Sequence, residues 1–521
     1  MERIAREGAA RDPRVSWTPA DRAQLASQGI EVAEAERQLA RMARPAWAAI
    51  ERPCTPGDGI ERLDAASLEA SLEAHAVAAK AGRVSAFVPA SGAATRMFRE
   101  LLAARERPGP LEPGAVRADD APAARALTRF VDELPRFAFA GALADALSRR
   151  GRSLEELRSR GPWRPLLDAL LETDGLDAER APKGLLAFHR EGGEARTAFE
   201  EHLIEACSLA GEGPGPRRLD VTVSPEHRNG FERLLAARLP SLAARHGGTW
   251  QVRWSEQDPA TDTIAGDPGG GPFRDGSGRL VFRPAGHGAL LANLARTEGD
   301  LVFLKNIDNV AAARLRAESE GWSRALVGLA ARLTAEVHAW CGHLEAGDPE
   351  AAEGARDFAR EALGMDLARV PDAAVAEALD RPLRVCGMVA NTGEPGGGPF
   401  WTRGPAGVTR QIVESAQVDL RSPERAAAFR AATHFNPVFL AASLRDRRGR
   451  PHELARFVDE DAVIATRKSH EGRELLALER PGLWNGAMAG WHTVFVEVPL
   501  TVFNPVKTVF DLLRPEHQGE P

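Results

Sequence analysis

Residues Ala90, Ser91, Gly92, Ala93, Ala94, Thr95 and Arg96 form a run of small residues closed by a hydroxyl and a guanidinium. The run lies between the apolar Phe87-Val-Pro89 and the apolar-periodic Met97-Phe-Arg-Glu-Leu-Leu102, a pattern of strand, tight loop and helix. Small side chains let backbone N–H groups approach an anion, and a helix behind the loop favours negative charge at its N-terminus. The chemistry this suits is phosphate binding. The same pattern also serves close strand-to-helix packing. It is not a P-loop: the G-x-x-x-x-G-K-[ST] spacing is absent, and no lysine lies between Lys80 and Lys183. Arg96 is either a surface arginine or, as a cation opposing the local dipole, a residue that wants an anion beside it.

Three more places follow apolar runs: Arg283-Pro-Ala-Gly-His-Gly288, Lys305-Asn-Ile-Asp-Asn309 and Phe503-Asn-Pro-Val-Lys-Thr508. They offer glycine backbone at Gly286, a histidine at His287, a lone carboxylate at Asp308 and an amine at Lys507. Moving a nucleotidyl group between phosphates is electrostatic work: lysines offset the charge and one carboxylate holds a divalent metal while an anionic nucleophile approaches phosphorus. Mg²⁺ suits this, because it takes only one or two protein carboxylates and completes its shell with phosphate oxygens and water. The plainer alternatives are a turn or helix cap at Asp308, a backbone-bonded loop histidine at His287 and a surface lysine at Lys507.

These residues need a scaffold, and the chain is long enough for a large α/β core with extra helical regions at 521 residues. Helical signals run from the Thr18-Pro19 cap to about 80. From about 84 onward, strand candidates at Leu280-Val-Phe282, Leu301-Val-Phe-Leu304, Asp220-Val-Thr-Val-Ser224 and Thr249-Trp-Gln-Val-Arg-Trp254 alternate with helical stretches. The alternation predicts a mainly parallel, Rossmann-like sheet, with ligands beyond the strands' carboxyl ends. The organisation expected is a helical N-terminal region over 1–80, an α/β core over 81–440 with a helical insertion at about 97–180, and a C-terminal part, 441–521, that completes the site. A net charge of −7 leaves no electrostatic footprint for nucleic acid or an anionic membrane. Four scattered cysteines without C-x-x-C spacing argue against a disulfide framework or a zinc site and fit a reducing cytoplasm. The charged Met1-Glu-Arg-Ile-Ala-Arg-Glu7 and the lack of any span-length apolar stretch predict a soluble, cytoplasmic protein.

In order along the chain, these pieces resemble the motifs of the UDP-sugar pyrophosphorylases, nucleotidyltransferases with a GT-A type, Rossmann-like fold that use Mg²⁺ to make UDP-sugars from UTP and a sugar 1-phosphate. Ala90 to Met97 is similar to their A-G-G-x-G-T-R-L loop, with Ser91 and Ala94 replacing two glycines. The family's Pro-Lys, whose lysine binds the reacting phosphates, resembles Pro182-Lys183, displaced here by the helical insertion. Val221-Thr-Val-Ser-Pro-Glu226 resembles the turn before the family's second helix, and Ser255-Glu-Gln257 its F-x-Q segment, which implies that Gln257 faces the base. Pro284-Ala-Gly-His-Gly288 is similar to P-x-G-H-G, implying nucleoside contact by Gly286 and His287, and Lys305-Asn-Ile-Asp-Asn-Val310 to N-x-D-N-L, implying a metal-holding Asp308. Gln411-Ile-Val-Glu-Ser-Ala-Gln417 looks like V-V-E-Y-S and His434-Phe-Asn-Pro437 like F-N-x-N, implying sugar contacts by Glu414 and Asn436, although Glu414 could equally be a buried partner of an arginine. Phe503 to Thr508 with Asp511-Leu-Leu513 matches F-x-P-V-K-x-x-x-D-L-L, implying that Lys507 reaches phosphate. The chain also looks like members of a bacterial family of unknown function that carries this motif set.

The resemblance implies transfer of a uridylyl or other nucleotidyl group from NTP, UTP favoured, to a sugar 1-phosphate, with Arg96, Lys183 and Lys507 offsetting charge. The lost loop glycines leave open a catalytically inactive nucleotide-sugar binding protein of the same fold, and the helical regions leave open a role in protein interaction. Two Gly-Gly-Gly-Pro-Phe runs, at 269–273 and 396–400, read as a surface hairpin and as a surface or substrate loop.

Overall fold

The structure, a computed structural model, describes residues 16–519 apart from 45, 212–214, 394–395 and 405–406. The charged segment at 1–7 and Glu394-Pro395 before the second glycine run therefore lie outside the described residues. The chain divides into two compact units: 1–78, 256–304 and 325–499 form the first, and 79–255, 305–324 and 500–521 the second. The fold is mixed α/β, and each unit contains a set of parallel strands.

In the second unit the strands Val84–Pro89, Arg217–Thr222 and Trp250–Ser255 lie parallel, with Ala86 opposite Leu219 and Asp220 opposite Arg253. Every residue of the first except Pro89 is buried, as its unbroken apolar character requires of a strand covered on both faces. The helix Ala198–Ala210 starts at Thr197, whose hydroxyl accepts the Glu200 N–H while the Glu200 carboxylate takes the Thr197 N–H. The helical insertion is present as six helices between Arg99 and Leu171, with the rings of Phe130, Phe137 and Phe139 clustered in its core. The helix after the small-residue loop begins at Arg99 rather than Met97 and runs only to Arg105, because Met97 and Phe98 turn inward and are buried ahead of it.

In the first unit Gly59–Glu61, His492–Glu497 and Leu383–Ala390 are parallel, and His434–Phe435 and Phe439–Ser443 add antiparallel to the last of these. Gly398–Gly404 pairs antiparallel with Ile50–Pro53 and with Gly407–Val413. The predicted helical stretch from Thr18 is broken here: the second helix ends at Ala43, and Ile50–Pro53, Thr55–Pro56 and Gly59–Glu61 are strands in a segment whose Pro53, Pro56, Gly57 and Gly59 disfavour helix. The two helices before them, Pro19–Ser27 and Val32–Ala43, bury Leu25, Leu39 and Met42 against Ile264, Leu280, Ala465 and Leu478. The Leu280-Val-Phe282 run is not a regular strand: Phe282–Arg283 pairs with Thr263–Ile264, and Leu280 makes an isolated bridge to Arg274. The first glycine run is the expected hairpin, closed by a hydrogen bond from the Asp267 N–H to the Gly271 carbonyl. The second enters the strand Gly398–Gly404.

Candidate functional site

The loop 90–96 is held open from both sides. Ala90 donates its N–H to the Thr222 carbonyl at 2.8 Å, so the loop leaves the sheet in line with the neighbouring strand. The Ser224 hydroxyl then donates to the Ser91 carbonyl at 3.1 Å. Across the insertion, the Ala94 N–H donates to the Ala181 carbonyl at 3.0 Å and the Lys183 N–H to the Gly92 carbonyl at 3.3 Å, a bridge that sets Ala93 opposite Pro182. The Thr95 hydroxyl is turned away from the loop face, donating to the Glu179 carbonyl at 2.9 Å. What stays free is a short run of donors: among the described residues the N–H groups of Ser91, Gly92 and Ala93 have no acceptor, and all three residues are exposed. Free backbone N–H groups such as these can donate to an anion. The short helix adds little to them, because Met97 and Phe98 intervene.

Lys183 lies beside this loop. Its ammonium donates to Asp308 Oδ2 at 2.7 Å and to the Val506 carbonyl at 2.7 Å. Lys507 donates to the same Oδ2 at 3.0 Å. Asp308 sits in a tight turn after Lys305 whose shape is fixed by three contacts. The His202 Nε2 faces the Ile307 carbonyl at 3.2 Å, the Asn309 amide donates to the Val502 carbonyl, and the Asn504 N–H donates to Asn309 Oδ1. Asp511 caps the next turn by accepting the Lys507 N–H and Thr508 N–H. Gly184 is needed for closeness: a Cβ there would sit 2.6 Å from the Phe231 ring.

The electrostatics are one-sided. The Asp308 side chain is only 8% exposed and Lys183 14%, against 60% for Lys507. Burial pushes the Asp308 carboxyl up, but Lys507 and Lys183 outweigh burial and hold it below the ordinary carboxylate range. Burial pulls the Lys183 ammonium down, and the positive charges of Lys507 and Arg96 add to that against Asp308. Arg96 is exposed and has no ion-pair partner among the described residues. Two ammonium groups thus share one carboxylate, and the unpaired Arg96 adds a further positive charge that acts on Lys183.

The remaining sequence candidates lie in the first unit. The Gln257 amide donates to Asp262 Oδ1 at 3.1 Å. Gly286 has φ +75°, and a Cβ there would press on the Glu479 carboxylate at 3.0 Å. His287 stacks on Trp484 with ring centroids 4.1 Å apart. Its Nδ1 accepts the Leu483 N–H at 2.9 Å, so the ring proton belongs on Nε2, which lies 4.0 Å from Glu414 Oε1. Burial pushes the imidazole down to about 4, which keeps it neutral at neutral pH. Glu414 has no arginine partner among the described residues. Its carboxyl is pushed above the ordinary range by burial, with Glu479 adding to the effect. Asn436 is engaged locally: its Oδ1 accepts the N–H of Val438, a β-branched residue at φ +57°.

Sequence reasoning missed Trp484, Glu479 and the fully buried Arg384, whose guanidinium donates to the Trp484 carbonyl at 2.6 Å, to Thr493 and to Gln411. The Gly482-Leu-Trp-Asn-Gly486 stretch, an aromatic between loop glycines, was the signal available for the first of them. The four cysteines are unpaired, no described helix is long and apolar enough to cross a membrane, and no cluster of three or more metal-ligating side chains occurs among the described residues.

No curated protein matches the chain. Among solved structures it is similar to the uridine diphosphate N-acetylglucosamine pyrophosphorylase from Trypanosoma brucei in complex with an inhibitor. That likeness has 13% identity and a TM-score of 0.49 and covers 95% of this chain and 79% of that one. It is also similar to a mutant UDP-glucose pyrophosphorylase from Leishmania major in complex with UDP-glucose, at 13% identity and a TM-score of 0.41, covering 96% and 79%. A UDP-glucose phosphorylase from Trypanosoma brucei matches at 14% identity and a TM-score of 0.41, covering 95% and 77%. A family model matches residues 18–518, nearly the whole chain, and on that match the chain belongs to the family described as Domain of unknown function (DUF4301).

Proposed function

We propose that this protein transfers a nucleotidyl group, from UTP or another NTP, to a sugar 1-phosphate and releases pyrophosphate. The observation that carries the reading is the convergence of Lys183, Lys507 and Asp308 next to the free N–H groups of Ser91, Gly92 and Ala93, with Arg96 unpaired nearby. An excess of positive charge around backbone donors is what a polyphosphate needs. The motif order along the chain supports the same assignment.

On this reading the loop N–H groups and Arg96 bind the triphosphate, and Lys183 and Lys507 offset the charge that gathers as the bond from the α-phosphorus to the leaving pyrophosphate breaks. A phosphate oxygen of the sugar 1-phosphate forms the new bond to that phosphorus. It is already anionic, so no general base is required, and a neutral His287 is consistent with a contact role. Asp308 is the residue suited to hold Mg²⁺, since one carboxylate oxygen set beside phosphates matches that ion's preference for few protein ligands. When bound, the ion would supply charge neutralisation and alignment of the phosphates. Gln257, Gly286 and His287 are assigned to the nucleoside and Glu414 and Asn436 to the sugar.

Purified protein with Mg²⁺, UTP and a panel of sugar 1-phosphates is expected to release pyrophosphate. Silence with every NTP defeats the transferase reading. Tight UDP-sugar binding by calorimetry without turnover would instead identify a nucleotide-sugar binding protein, the outcome to which the replacements Ser91 and Ala94 point.

A further inference from the structure

We propose that Lys183 and Lys507 form a counter-ion lock on Asp308, so that a divalent cation gains this carboxylate only when a polyphosphate draws Lys507 away. The inference rests on the reading above, in that it takes Asp308 as the cation's carboxylate and the loop 90–96 as the polyphosphate's seat.

Both ammonium groups donate to one oxygen, Asp308 Oδ2, at 2.7 and 3.0 Å. A divalent cation placed against that oxygen would face two like charges within contact distance, in surroundings where Asp308 and Lys183 are largely screened from water. Metal alone is therefore a poor ligand for this site.

The two lysines are not equivalent, and the difference says which one moves. Lys183 is largely shielded, its backbone is tied to Gly92, and its ammonium has a second acceptor in the Val506 carbonyl at 2.7 Å. It can lose Asp308 and remain hydrogen-bonded in place. Lys507 has a side chain 60% exposed and no other acceptor for its ammonium among the described residues. Its backbone N–H is fixed by Asp511 at 2.8 Å, so the residue stays anchored while its flexible side chain swings. Phosphate oxygens arriving at the Ser91–Ala93 N–H groups offer Lys507 a replacement for Asp308 and bring negative charge for the incoming cation. Binding of cation and polyphosphate is then strongly and reciprocally coupled.

The test is Mn²⁺ binding to the full-length protein, followed by electron paramagnetic resonance with and without α,β-methylene-UTP or inorganic tripolyphosphate. The native protein is expected to bind Mn²⁺ at least tenfold more tightly with either polyphosphate. Lys507→Met and Lys507→Gln, at an exposed position, should bind Mn²⁺ alone at least tenfold more tightly than native and lose most of the coupling. Asp308→Asn should bind Mn²⁺ weakly under every condition. If both Lys507 variants bind Mn²⁺ alone no better than native, or if Asp308→Asn keeps native Mn²⁺ affinity, the lock is wrong. Pyrophosphate release with unchanged Mn²⁺ affinities would sink the lock and spare the transferase. Tightened Mn²⁺ binding by the variants and by tripolyphosphate, without any pyrophosphate release, would spare the lock and sink the transferase.

Discussion

Lys183 shows how a single residue can tie three chain segments together. Its ammonium joins a carboxylate from one turn and a carbonyl from another, and its own backbone closes on the small-residue loop. On the proposed reading, replacing it with alanine removes a positive charge from the phosphate site while Lys507 still covers Asp308. We therefore expect Lys183→Ala to lower kcat/KM for pyrophosphate release by about 100-fold or more, the usual cost of one transition-state donor. Asp308→Asn should lose at least as much, and raising Mg²⁺ should not restore it. Both are read by steady-state kinetics, and a variant within threefold of native would remove that residue from the phosphate site.

The helical insertion is the element that returns the chain to the small-residue loop, where Ala181 and Lys183 bond to Ala94 and Gly92. Its return path, residues 172–181, is held against the helix Arg99–Arg105 by Arg105, which pairs with Asp168 at 3.2 Å, Glu172 at 2.7 Å and Glu179 at 3.2 Å. All four side chains are partly exposed, so Arg105→Ala should cost only about 1 kcal/mol of global stability. Its local effect should be larger: faster amide exchange over 172–183 and a raised KM for NTP. Unchanged exchange in that segment would show that Arg105 does not position Lys183. Gly184→Ala is expected to be harsher. A Cβ 2.6 Å from the Phe231 ring and 3.3 Å from Ile307 overpacks a closed corner, costing about 1–3 kcal/mol in denaturant melts.

At the scale of the molecule, stability should fall in mild acid. His492 is buried in the strand His492–Glu497, donates from Nε2 to the Leu379 carbonyl at 2.8 Å, and is pushed down to about 4 by burial, with Arg381, His452 and Arg410 adding positive charge nearby. The folded state therefore prefers the neutral ring, while an unfolded histidine titrates near about 6.5. The stabilising contribution is complete above about pH 6.5 and is lost as pH falls toward 4, by about 2 kcal/mol between pH 7 and pH 5. Urea melts at those two pH values should show that loss in the native protein and a smaller one in His492→Gln. Equal losses would place the acid sensitivity elsewhere.

Local signals in the amino-acid sequence determined much of this protein. The strand and loop from Phe87 to Arg96, the Thr18 and Thr197 helix caps, the helical character of 99–171 and the hairpin at Gly269–Phe273 follow from residue type and spacing, which act over a few positions. The helix start at Arg99 was missed because burial of Met97 and Phe98 overrode an apolar period that looked helical. Only the tertiary structure decided that Lys183 and Lys507, which stand 125 and 199 residues from Asp308, close on one oxygen of its carboxylate. It alone revealed Trp484 against His287 and Glu479 against Glu414. The reason is physical: a charged cluster is set by chain segments meeting through space, and neither a shielded lysine's partner nor the excess of charge around a carboxylate leaves a periodic trace along the chain.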